Sequence, residues 1–132
     1  PAWSPDGRYL TYSQNQAGSL SAGSCCRLVR MDLSTRTATA LTGAIGAIRP
    51  SVSPDGSLVV YDTPTGVWTM PAGGGSPVLR VINGYDATFS PDSKSLAYVI
   101  DVNGLRRLRT IEISSGVVAT FHSTSGQVHS PV

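Results

Sequence analysis

Apolar and polar positions alternate along this chain in short runs, and each run is broken by Gly, Pro, Ser or Asp. Runs of this length and period predict β-strands joined by tight turns. Leu10 and Tyr12 fall two apart in one such run, so they share one side of a strand. Val59 and Tyr61 repeat the arrangement, and so do Leu96 and Tyr98. The alignment extends outward from these pairs. A short extended run (1–3, 50–52, 87–89) precedes each pair, and the pair's own run covers 9–12, 58–61 and 95–98. A third run covers 28–33, 67–70 and 108–113, in which Met31, Met70 and Ile111 align. A fourth covers 37–41, 77–81 and 117–121. The pattern predicts an all-β chain of three units, each made of four short antiparallel strands.

The units are marked by a repeated turn. Ser4-Pro5-Asp6-Gly7 returns as Ser53-Pro54-Asp55-Gly56 and then as Ser90-Pro91-Asp92-Ser93, at intervals of 49 and 37 residues. These intervals bracket the roughly 40–45 residues of a β-propeller blade. Pro presets φ for the second position of a type I turn. Asp can fold its carboxylate back onto nearby backbone N–H groups. Gly accepts a positive φ without steric cost, so Ser93 marks the third turn as one that could differ. Asp6, Asp55 and Asp92 could instead suggest metal binding or catalysis, but recurrence in every unit favours an architectural role. The units divide the chain at about 1–49, 50–86 and 87–130, within a single partial propeller of 132 residues.

The chain is 40% apolar, enough for a core, and only 14% charged, against roughly 25% in an average soluble domain. Its net charge of +2 argues against nucleic-acid binding, for which a dense basic face is expected. The cluster of Arg106, Arg107 and Arg109 reads as a solvated strand. No apolar run is long enough to span a membrane as a helix. Cys25 and Cys26 are adjacent, so they cannot close an ordinary loop. Free thiols are the expectation here, and a labile vicinal disulfide is the alternative. Zinc is not expected, since no second Cys or His pair has ligand spacing.

The turn, the strand ending in Tyr and a later Met-Asp-Leu before Leu-Thr together resemble the TolB-like (WD40-like) propeller repeat. The first unit carries the fullest match, in Trp3 to Gly7, Tyr12, Met31-Asp32-Leu33 and Leu41-Thr42. The second lacks the acidic residue after Met70 and the closing Leu-Thr. The resemblance implies a propeller of six or seven blades with a binding or gating role. It also implies a periplasmic or extracellular setting and no chemistry within the blades. Members serve as envelope proteins, as sensor domains, and as substrate-gating domains of prolyl oligopeptidase and dipeptidyl-peptidase-like serine peptidases. Three blades cannot ring a channel alone. The expectation is therefore a segment of a longer protein, or two copies pairing into a six-bladed ring.

In such blades the Ser-Pro-Asp turns share one face with the turns after the third strand. The opposite face carries the loops 14–24, 63–66 and 102–105 and the crossovers 43–49, 83–86 and 122–129. Binding is expected there, on Asn15 and Gln16 of the long insertion and on Arg49, Tyr85, Asp86 and His129 of the crossovers. The function expected is a non-catalytic scaffold for a protein or ligand, with no cofactor. The alternative is the gating propeller of a serine peptidase. Catalytic motifs are missing from the sequence: it has no Gly-x-Ser-x-Gly elbow, and Gly73-Gly74-Gly75 lacks the Lys-Ser/Thr of a phosphate loop. His122 and His129 are the only histidines, too few for the axial metal site of propeller lyases.

Overall fold

The computed structural model describes residues 1–15, 25–43 and 45–121. Strands β1 (Ala2–Trp3), β2 (Tyr9–Asn15), β3 (Cys26–Asp32) and β4 (Thr37–Ala40) form the first sheet. Strands β5 (Ile48–Val52), β6 (Leu58–Thr63), β7 (Gly66–Pro71) and β8 (Val78–Ile82) form the second. Strands β9 (Gly84–Phe89), β10 (Ser95–Val102), β11 (Leu105–Glu112) and β12 (Val118–Phe121) form the third. Each sheet is an antiparallel meander in chain order. The first strands β1, β5 and β9 neighbour one another, and the sheets splay outward from them, as propeller blades do.

The alternation seen in the sequence becomes two blade-to-blade cores. Val59, Tyr61 and Met70 point back onto blade 1, where they meet Leu28 and Ala47. Val60, Val67 and Val81 point forward onto blade 3, where they meet Leu96, Tyr98 and Ile111. Blade 2 is covered on both sides, so Val59, Val60, Tyr61 and Asp62 are buried in succession. Each fully buried aliphatic or aromatic side chain contributes about 1.5–3 kcal/mol relative to an exposed one.

Strand ends differ from the sequence reading for identifiable reasons. β5 and β9 begin at Ile48 and Gly84, inside the segments expected to be crossovers. Each passes through a register shift against its neighbour, and Arg49 and Asp86, at equivalent positions, take positive φ there (51° and 56°). The extra residue of a bulge lets pairing resume beyond it. β10 and β11 extend until only Asn103 and Gly104 separate them. Both have positive φ, which gives a two-residue hairpin turn of the primed kind.

The cysteines correct an expectation. Cys25 and Cys26 are joined by a vicinal disulfide rather than left as free thiols. Side chains of adjacent residues at the entry to a strand lie close enough to bond without any loop being closed.

Candidate functional site

The repeated turns hold one end of the segment together. In each, the first Ser hydroxyl donates to the Asp carboxylate: Ser4 to Asp6 at 2.6 Å, Ser53 to Asp55 at 2.6 Å and Ser90 to Asp92 at 2.5 Å. The same Asp oxygen accepts the backbone N–H of Arg8, Ser57 or Lys94. The Ser oxygen accepts the N–H of Tyr9, Leu58 or Ser95. These bonds, led by the one from Ser, hold all three carboxyls below the usual carboxylate range.

Ser93 adopts φ +65°, close to Gly7 (+74°) and Gly56 (+79°), so the third turn keeps the same shape. Its hydroxyl accepts the N–H of Asp55 at 3.0 Å. That bond ties the second turn to the third and offsets the left-handed backbone.

The opposite end carries the candidate binding residues. Asp62 is 3% exposed. Its Oδ2 accepts the Arg49 Nε–H at 2.7 Å and the Asp86 N–H at 3.0 Å. Arg49 itself is exposed, so a buried carboxylate holds a surface guanidinium in place. Tyr85 donates its hydroxyl to Asp101 at 3.1 Å. The structure thus brings Arg49 and Asp86 together through Asp62. Tyr85 directly precedes Asp86 on β9. Asn15 lies elsewhere, at the end of β2, with its Oδ1 3.2 Å from Cys26 Sγ. Gln16 and His129 lie outside the described residues.

Sequence reading missed Asp62 and Asp101. The signal for Asp62 was its position after Tyr61. Its counterparts are Ser13, which donates to the Ala47 carbonyl at 2.6 Å, and Val99. A charge at a buried strand position needs a partner, and Asp62 finds Arg49 within its own blade and the Asp86 amide across the joint to blade 3.

A second feature lies between blades 1 and 2 at the Ser-Pro-Asp end. It is a cleft of about 300 Å³ bordered by Asp6, Tyr9, Arg30, Asp55 and Gly73. The Arg30 guanidinium stacks on Tyr9, 3.5 Å from the ring centroid, and donates to the Ala72 carbonyl at 3.0 Å. Arg8 pairs with Asp32 at 3.0 Å. Hydrogen bonds from Arg8 and then Ser34 hold the Asp32 carboxyl well below the usual range. Among the described residues no three His, Cys, Asp or Glu side chains are grouped to hold a metal ion.

Radiating four-stranded meanders whose first strands line one side define the class: these are consecutive blades of a β-propeller. Solved β-propellers, TolB proteins among them, share this fold. TolB from Acinetobacter baumannii matches with a TM-score of 0.73 at 24% identity, over 91% of this chain and 31% of its own. Oligogalacturonate lyase in complex with manganese matches at 0.75 and 18%, over 90% and 39%. The β-propeller domain of the trilobed protease from Pyrococcus furiosus matches at 0.69 and 17%, over 87% and 39%. The likeness is one of fold, and this chain spans well under half the length of each of the three. No family model matches the chain, and no curated protein does.

Proposed function

We propose that these blades form a non-catalytic binding scaffold of a protein working in the periplasm or outside the cell, and that the end carrying Arg49, Tyr85 and Asp86 meets a protein partner. One observation carries the reading. Asp62, 4% exposed in its side chain, fixes Arg49, whose side chain is 56% exposed. Burying a carboxylate is costly without partners, and here it orients a cation that faces solvent. A guanidinium held in place loses less side-chain freedom when it engages an acceptor. The likeness to TolB in fold supports the reading.

The test is site-specific photo-crosslinking of the protein in its own cell. A probe at Arg49 should capture a discrete protein, and one at Val78 on the outer strand β8 should not. Equal capture from both positions would refute the assignment.

The likeness to a protease propeller favours a second reading, a gating domain. It requires an α/β-hydrolase domain with a nucleophile elbow elsewhere in the parent, which its gene sequence would reveal.

Self-association fits either reading. Leu10, Tyr12 and Met31 are only partly buried, whereas their counterparts Val59, Tyr61 and Met70 are at most 1% exposed. A second copy of the chain could cover this face.

A further inference from the structure

We propose that Cys25–Cys26 is a thiol-exchange site, reduced by a dithiol in the native protein and controlling the joint between blades 1 and 2. The argument begins with what this bond cannot do. A disulfide stabilises a fold mainly by closing a loop in the unfolded chain, and adjacent cysteines enclose none. Sequence adjacency also sets their Cα atoms 3.8 Å apart, below the roughly 4.4–6.8 Å of ordinary disulfides. A bond that is no staple and is geometrically constrained belongs with the labile, exchangeable kind.

The surroundings decide which sulfur reacts. Cys25 is half-buried and Cys26 is 5% exposed, so an incoming thiolate reaches Cys25 Sγ. The S–S bond breaks, its electron pair passes to Cys26 Sγ, and that sulfur takes up a proton. The second thiol of the dithiol then attacks the mixed disulfide and frees Cys25. The protein gains two electrons and two protons, and the dithiol leaves as its own disulfide. The product is stabilised locally. Cys26 Sγ has no proton while bonded, so its 3.2 Å contact with Asn15 Oδ1 is a hydrogen bond only after reduction.

The consequence reaches the next blade. The Cys26 carbonyl accepts the N–H groups of Gly46 at 3.0 Å and Ala47 at 3.3 Å. Ala47 is fully buried in the core between blades 1 and 2, and its carbonyl accepts the Ser13 hydroxyl at 2.6 Å. The Cys25–Cys26 ring holds the peptide between the two residues and the Cys26 Cα, to which the accepting carbonyl is attached. Opening the ring frees that Cα to turn, and the crossover to blade 2 loosens.

The experiment uses the air-oxidised wild-type chain without denaturant. Alkylation before and after reduction, read by peptide mass spectrometry, should show both cysteines blocked at first and both labelled afterwards. Phenylarsine oxide, which bridges paired thiols, should bind once per reduced chain and not to Cys25→Ser. Reduction by thioredoxin, a protein dithiol, is the expected result, and equally fast reduction by glutathione, a monothiol, would overturn the assignment of a dithiol reductant. Hydrogen exchange at Gly46 and Ala47 should be at least tenfold faster in the reduced form. Cysteines that alkylate without reductant, or that reduce only in denaturant, would overturn the site. Unchanged exchange at Gly46 and Ala47 would overturn its control of the joint.

Discussion

Two kinds of side chain in this protein make opposite local arrangements, and each arrangement has a measurable outcome. The aspartates of the repeated turns are supplied with donors. With folded values below their unfolded ones, they contribute stability that is fully present above the unfolded carboxylate value near 4 and is lost as pH falls through the folded values. Acid titration by NMR should therefore place Asp6, Asp55 and Asp92 below ordinary aspartates, and Asp55→Asn should shrink the acid-side loss of stability. Tyr61 is the reverse case. Its hydroxyl is buried with no hydrogen-bond partner among the described residues, and burial raises its pKa. Removing an unpaired polar atom removes its desolvation cost. Tyr61→Phe should leave stability unchanged or raise it by about 1 kcal/mol in urea denaturation, whereas Leu96→Ala should cost about 2–5 kcal/mol.

At the scale of strands and turns, local chemistry was legible and contacts between blades were not. Ser-Pro-Asp turns declare themselves because the Ser and Asp bonds repeated in each span at most five residues. The four runs of each unit were readable because each is short, apolar and bounded by turn residues, even in β6, where cover on both sides buries successive residues. The bulges at Arg49 and Asp86 were hidden, since Arg gives no sign of a positive φ, Asp is equally at home in ordinary turns, and only the pairing beyond them reveals it. Asp62 was hidden because its partners stand 13 and 24 residues away. Gly66 is another such element-level constraint. It holds φ +143°, and a Cβ there would fall on the Val81 carbonyl oxygen and 2.9 Å from the Asn83 nitrogen. Gly66→Ala should destabilise by more than about 1 kcal/mol and expose the β7–β8 edge to faster hydrogen exchange. Asp62→Ala should cost about 1–3 kcal/mol, chiefly by freeing the Asp86 amide.

For the molecule as a whole, the partly covered face of blade 1 sets the prediction. If a second copy covers Leu10, Tyr12 and Met31, light scattering of the 132-residue chain should give twice its 13.8 kDa, and Tyr12→Asp should return it to a monomer. A concentration-independent monomer would rule out the ring of two copies.

The guanidinium bonds between blades have a different kind of consequence. Arg30 on β3 reaches the Ala72 carbonyl, and Arg80 on β8 reaches the Ile113 carbonyl at 3.2 Å. Ala72 and Ile113 hold the same place in their blades, but the arginines come from different strands. Blades 1 and 2 therefore each carry an address for the blade that follows. A gene shuffled to join blade 1 directly to blade 3 would keep every hydrogen bond inside the blades. Arg30 would still find a carbonyl at Ile113, but not the Gly73 turn beside it. The repeats are thus an ordered series rather than interchangeable copies, and the order is written in which strand supplies the arginine.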